Sequence, residues 1–323
     1  MRRLKTRVTE LLGIQIPIIQ GGLANLAYSE LAVAVSKAGG LGQITATSLS
    51  SAEDLRREIR KTKSATERPF GVNLAISQHK SIDAMVEVVI EEQVAAVSLT
   101  AGNPEPILKR LADTSIKRLV LVSSVRQAQK AEALGADAVM AVGQEGGGHI
   151  GRVDTGTFVL IPRVVESVRI PVIASGGIAD GRGFLAALAL GADGIEMGTR
   201  FIATQECIAH HAYKEAIVQG GEEDTVIIKR SLNMPGRVLP SLWVEKILEE
   251  ERKGTTQEDI YPLISGERNR KAIIEGRLNE GYAWAGQSMG LIHNVPTVAE
   301  LFEEMLSTAG FALKRIEKMN FPV

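Results

Sequence analysis

Ala138-Val139-Met140-Ala141-Val142 runs directly into Gly143-Gln144-Glu145-Gly146-Gly147-Gly148-His149-Ile150-Gly151. The apolar run, closed by glycine, has the length and character of a buried strand. Five of the nine residues that follow are glycine. Glycine costs conformational entropy on folding, so this density predicts a loop that lets a flat ligand approach the backbone. His149 sits within it, where its ring can reach such a ligand.

The same unit recurs on both sides. Short apolar runs ending in glycine or a small polar residue lie at 16–20, 41–45, 70–74, 95–99, 118–122, 138–142, 171–175 and 194–198. Between them, residues 29–38, 51–61, 81–93, 104–112, 124–134, 156–168 and 181–190 carry helical spacing, with Ser, Asp or Pro at several starts. Eight strands alternating with helices predict an α/β fold, a (β/α)8 TIM barrel, in preference to a doubly wound open sheet. The rhythm changes near residue 220. Residues 1–220 read as the barrel and 221–323 as a helical cap over its mouth. In the second part 230–237 reads as an irregular link, 242–252 and 268–275 as helices, and 298–318 as an amphipathic helix packing back on the barrel.

With 323 residues, 45% hydrophobic and 23% charged, and a formal net charge of -1, the chain has neither the basic stripe that nucleic acid requires nor one suited to an anionic membrane. No apolar run approaches the roughly 20 residues of a spanning helix. The basic start Met1-Arg2-Arg3-Leu4-Lys5 is not followed by the apolar core of a secretory signal. A cytoplasmic protein acting on a small molecule is the expectation, alone or as a homodimer. The one cysteine, Cys207, excludes an internal disulfide and multi-cysteine metal or iron–sulfur centres. It reads as a packing residue. The adjacent His210 and His211 cannot share one helix face, and His79 and His293 read as surface residues, so no metal site is expected.

In a barrel of this type, ligands sit at the C-terminal strand ends. Two loops there suit a phosphate: Ala174-Ser175-Gly176-Gly177 after the seventh strand and Gly198-Thr199-Arg200 after the eighth. Backbone amides and a helix N-terminus would face the anion, and a Cβ would hold it away. Gln20-Gly21-Gly22-Leu23 offers an amide, bare backbone and an apolar residue to a flat ring, or simply a βα turn. Asn73 can donate to and accept from a ring's polar edge, or order its own turn. His149 suits a general base, with an ordinary pKa near 6.5, a hydrogen-bond donor, or a structural residue. Glu145 can bond the imidazole, a backbone amide or a ligand hydroxyl.

Jointly, Pro17 to Gly22, Ala38 to Gly42, Pro69 to Asn73, Gly148 to Gly151, Ala174 to Gly181 and Met197 to Phe201 resemble the FMN-dependent nitronate monooxygenase family, once called 2-nitropropane dioxygenases. Relatives of that family are the FMN-dependent enoyl-ACP reductases and NADH:quinone reductases. The resemblance covers essentially the whole chain, including Ala285-Gly286-Gln287-Ser288. It implies an FMN phosphate on Gly176, Gly177, Gly198 and Thr199, with Ser175 also among the cofactor-binding residues. The ring would lie near Gly21, Gly22, Leu23 and Asn73, with Gln144, Glu145, Gly147 and Gly148 alongside and His149 facing substrate as the catalytic residue. The implied reaction is oxidation of an alkyl nitronate by O2 to a carbonyl compound and nitrite. The alternatives are NAD(P)H-dependent reduction of an enoyl thioester or quinone, and a flavin-free phosphate-binding barrel. Inosine-monophosphate-type dehydrogenation is disfavoured, because the sixth-strand loop has no cysteine. Some relatives carry a lysine at the end of the fifth strand. Here the stretch is Leu121-Val122-Ser123-Ser124, without a cation.

Overall fold

The computed structural model describes residues 4–76, 81–254 and 256–319; His79 and Met1 to Arg3 lie outside them. The strands among these residues are β1 (Ile18–Gln20), β2 (Gly42–Thr45), β3 (Phe70–Ala75), β4 (Ala96–Thr100), β5 (Lys117–Val122), β6 (Ala138–Val142), β7 (Gly148–His149), β8 (Val172–Ser175), β9 (Gly194–Met197), β10 (Val226–Ile228) and β11 (Gly236–Val238).

Eight of them form one parallel sheet in the order β1-β9-β8-β6-β5-β4-β3-β2. A parallel bridge between Ile19 and Leu41 joins β1 to β2 and closes the sheet. The fold is therefore the (β/α)8 barrel that the strand rhythm predicts. Helices follow the strands where expected. For example, Ala52–Ala65 begins behind Ser51, whose side chain accepts from the Asp54 amide.

The barrel interior is filled by alternate residues of the strands, including Ile19, Leu41, Ala96, Leu119, Met140 and Ile173. Its floor is a short helix, Arg7–Leu12, that the sequence reading does not anticipate. Val8, Leu12 and Ile14 join the same buried cluster. Arg7 fastens this plug, donating to both Asp193 oxygens at 3.0 and 2.7 Å and to the Arg169 carbonyl at 2.6 Å. The mouth at the opposite end is thus the open one.

The last helix, Val298–Glu317, packs against Gly181–Ala189 and Ser29–Lys37. The approach is close. A Cβ at Gly181 would stand 2.1 Å from the Met305 carbonyl, and one at Gly40 2.7 Å from the Phe302 ring.

The portion before it is not purely helical. β10 pairs antiparallel with β11, and β11 pairs with β7. Two expectations are corrected. The link 230–237 ends as a strand, and the glycine loop after β6 is partly strand, with His149 opposite Gly236. The reason is local: the β-branched run Val226-Ile227-Ile228 needs a ladder, and at Gly236 a Cβ would stand 2.6 Å from the Trp284 ring and 3.2 Å from the Gly148 carbonyl. Ile228, Val238, Val244, Ile247 and Tyr282 form a separate buried cluster here. Among the described residues no helix is long and apolar enough to cross a membrane.

Candidate active site

The residues singled out at the strand ends meet around the barrel mouth. Asn73, almost fully buried, donates through Nδ2 to the Ser98 hydroxyl at 2.9 Å. Its Oδ1 lies against Gly22, where a Cβ would come within 2.3 Å. Leu23 donates its amide to the Thr45 hydroxyl at 2.9 Å. Its side chain reaches Gly198, whose Cβ position is 3.5 Å from Leu23 Cδ2. Thr199 Oγ1 accepts from the Gly286 amide at 2.9 Å and stands 3.1 Å from the Cβ position of Gly147. Gly176 packs on Gly146, and Gly177 on Glu145. The set thus forms a continuous rim.

Gly176 and Gly177 have φ values of +85° and +77°. Two successive left-handed residues turn their amides to one side, and only glycine does this without strain. The amides of Gly176, Gly177 and Gly198 donate to no acceptor among the described residues. Asp180 caps the helix after the first of these loops, accepting from the Arg182 and Gly183 amides, whereas the short helix Thr199–Ile202 after the second starts at Gly198 without a side-chain cap. The cradle rests on the glycine amides and Thr199.

Other residues turn inward. Gln20 is buried, accepts from the Gln43 amide at 2.8 Å and donates to the Gly21 carbonyl, so its side chain does not face a ring. Glu145 accepts from the Thr157 amide at 3.0 and 2.9 Å and from its hydroxyl at 3.0 Å. It caps the helix Thr157–Val165, whose N-cap Gly156 has no side chain to do so. The Glu145 carbonyl accepts from Gln287 at 2.9 Å. Gln144 donates to Asp154 at 2.6 Å, and its carbonyl accepts from the buried Arg237 at 3.0 and 3.2 Å. Its buried Oε1 has no protein partner, so it is available to a ligand.

His149 is half-buried. Lys229 Nζ is 3.0 Å from its Nε2 and 4.8 Å from the centre of the Trp284 ring, which is itself 5.2 Å from the imidazole. Burial, with the Lys229 charge added, pulls the His149 pKa down to about 3. Burial lowers Lys229 to about 8, against the pull of Glu251. At neutral pH the histidine is uncharged and the lysine charged. The base with an ordinary pKa is corrected: burial and the neighbouring Lys229 charge hold the imidazole well below its usual value of 6.5. Gly148 beside it has φ +76° and open space over its Cβ position.

Sequence reasoning missed Lys229, Trp284, Arg237 and Glu196. Lys229 had a signal, since it is the first charge after the run Val226-Ile227-Ile228. Glu196 lies against Gly21 with its carboxyl pushed up by burial, opposed by a hydrogen bond with Ser175. Cys207 is buried and its thiol raised to about 11, as suits a packing residue. His210 caps the helix His211–Gln219, accepting from Ala212 at 3.2 Å. Among the described residues no group of three or more His, Cys, Asp or Glu could hold a metal.

The closed barrel brings glycine amides on its last two loops, a bare-backbone shelf and the His149–Lys229 pair to its mouth, an arrangement that could hold a phosphate-bearing group there. The model of one family, described as nitronate monooxygenase, matches residues 5–308, and the chain belongs to that family. A probable nitronate monooxygenase from Staphylococcus saprophyticus is 33% identical, over 97% of this chain and 100% of the relative. A 5-hydroxy-7a-methyl-1-oxo-octahydro-1H-indene-4-carboxyl-CoA dehydrogenase from Mycobacterium tuberculosis is 33% identical, over 95% and 96%. The structure of FabK from Thermotoga maritima superposes with a TM-score of 0.93 at 41% identity, covering 98% of this chain and 99% of that one. The chain is a flavin-dependent oxidoreductase.

Proposed function

We propose that the flavin is FMN and that the enzyme oxidises alkyl nitronates with O2 to a carbonyl compound and nitrite. The observation that carries this reading is the rim itself. Amides of Gly176, Gly177 and Gly198 and the Thr199 hydroxyl suit a single terminal phosphate. Gly21, Gly22, Leu23 and Asn73 form the shelf for a ring, with Gly147 and Gly148 opposite. FMN supplies two-electron chemistry and reactivity toward O2. The protein's part is binding, orientation and electrostatics. Lys229 brings a positive charge and His149 a neutral imidazole to the mouth, an environment that favours an anionic substrate. With Nε2 occupied, binding a preformed nitronate is favoured over deprotonating a neutral nitroalkane.

A second reading is supported by the likeness to FabK and to a CoA-thioester dehydrogenase. In it NAD(P)H delivers electrons and an enoyl thioester or quinone receives them. Of the basic run Arg268, Arg270 and Lys271, two members are engaged within the cap. Arg268 stacks 4.0 Å from the Trp243 ring centre and Lys271 pairs with Glu267 at 3.5 Å.

The test is anaerobic mixing of the purified yellow protein with a nitronate, or with NADH or NADPH, while following the flavin band. Bleaching by nitronate, with nitrite appearing once air is admitted, is expected. Bleaching only by a nicotinamide, with reoxidation by enoyl thioester or quinone, overturns the first reading in favour of the second.

A further inference from the structure

Lys229 reaches the mouth from the cap, far along the chain from the histidine it touches, and the local structure is built to deliver it. It follows β10 with φ +63°, a left-handed conformation that side chains other than glycine rarely adopt. One carboxylate braces this turn. Glu251 accepts from the Lys229 amide at 2.8 Å, from the Ser231 amide at 3.0 Å and from its hydroxyl at 2.7 Å. The residue is 5% exposed, and its Nζ lies over the Trp284 ring, which Tyr282 meets edge-on at 5.1 Å. A buried lysine at a strained position is an arrangement that surface packing alone would not select.

We propose that Lys229 is the positioning residue of this site, donating through Nζ to Nε2 of His149 and thereby fixing the neutral tautomer with its proton on Nδ1. An ammonium has three donors and no acceptor. A contact of 3.0 Å with an imidazole nitrogen is therefore attractive only if that nitrogen bears the lone pair, and the remaining proton of a neutral ring must then sit on Nδ1. Trp284 restrains both partners, through its π face toward the lysine and its ring beside the imidazole. Burial makes the arrangement consistent with a charged lysine and an uncharged histidine at neutral pH. The inference rests on the reading of His149 as the residue facing substrate, but its test does not need a substrate.

The measurement is a two-bond 1H–15N spectrum of histidine side chains in the purified yellow protein at pH 7, with His149 assigned by the resonance lost in His149→Gln. The expected wild-type pattern has a protonated Nδ1 and a lone pair on Nε2, in a ratio of about ten to one or more, as a charge-assisted hydrogen bond dictates. Lys229→Met should let the Nε2–H form appear and bring the ratio toward parity, while Lys229→Arg should restore the wild-type pattern. An Nε2–H tautomer in the wild type overturns the proposal, whether or not the variants fold. So does a Lys229→Met protein with an unchanged flavin spectrum and an unchanged tautomer ratio. If the ratios behave as expected and nitronate fails to bleach the flavin, only the assignment of substrate falls.

Discussion

Glu196 shows how a single side chain at the mouth sets a pH dependence. Its carboxyl is buried against Gly21, with Ser175 as a hydrogen-bonding partner. Burial disfavours the charged form and raises its pKa above the ordinary value of 4.5. The unfolded chain therefore loses this proton first as pH rises. Above about pH 4.5 the unfolded state binds fewer protons than the folded one, and stability falls with pH until the folded carboxyl also ionises. The slope is at most about 1.4 kcal/mol per pH unit for one proton. Glu196→Gln keeps the shape and the hydrogen bond and removes the titration. We expect it to match the wild type in denaturant midpoint below pH 4.5 and to exceed it increasingly above. Parallel curves across pH 4 to 7 would show that the carboxyl ionises within the fold without cost.

At the scale of elements, the glycine loop after β6 is held in shape by the helix that follows. Glu145 serves as a remote cap for Thr157–Val165, since Gly156 has no side chain to offer. A carboxylate on the first amide of a helix also meets the positive end of its dipole. Glu145→Ala should cost about 1–2 kcal/mol, read as a lower denaturant midpoint, and should loosen the flavin through the loop rather than through a lost contact. A variant with unchanged stability and diminished flavin content would instead make Glu145 a direct ligand. The same loop explains what was legible in the sequence. Strand rhythm and glycine placement are local signals, so the barrel and the rim from Gly21 to Thr199 could be read from short stretches. The pairing of β7 with β11 was not legible, because Gly148 and Gly236 are remote in sequence and a two-residue strand has no periodicity. Lys229 was lost with it. The turn that aims it depends on Glu251 and Trp284, neither of which marks the lysine in sequence. Gln20 illustrates the converse: residue type suggested ligand contact, while the Gln43 amide and the Gly21 carbonyl satisfy its side chain; of the partners open to Glu145, it takes a backbone amide.

For the whole molecule, the question is where the barrel ends along the chain. We propose that residues 221–297 are the inserted cap and that the final helix belongs to the barrel, in the place of its eighth helix. The supporting contacts are those of Val298–Glu317 with Gly181–Ala189 and Ser29–Lys37. Gly181 and Gly40 admit it so closely that a Cβ at either would collide. Val298, Leu301, Phe302 and Met305 are buried on its inner face, all four at most 2% exposed. Burying one such side chain contributes about 1.5–3 kcal/mol, so four contribute roughly 6–12 kcal/mol, comparable with the whole stability of a typical domain at about 5–15 kcal/mol. Thr297 starts the helix with a capping box to Glu300, so a chain ending at Pro296 loses the element completely. Such a chain should lack a cooperative thermal transition and should not retain flavin, although the cap and every residue of the rim are still present. Ending instead at Glu317 removes only residues beyond the helix and should leave both properties intact. A chain ending at Pro296 that unfolds cooperatively and stays yellow would show that the barrel closes without the helix, and would place Val298–Glu317 with the cap.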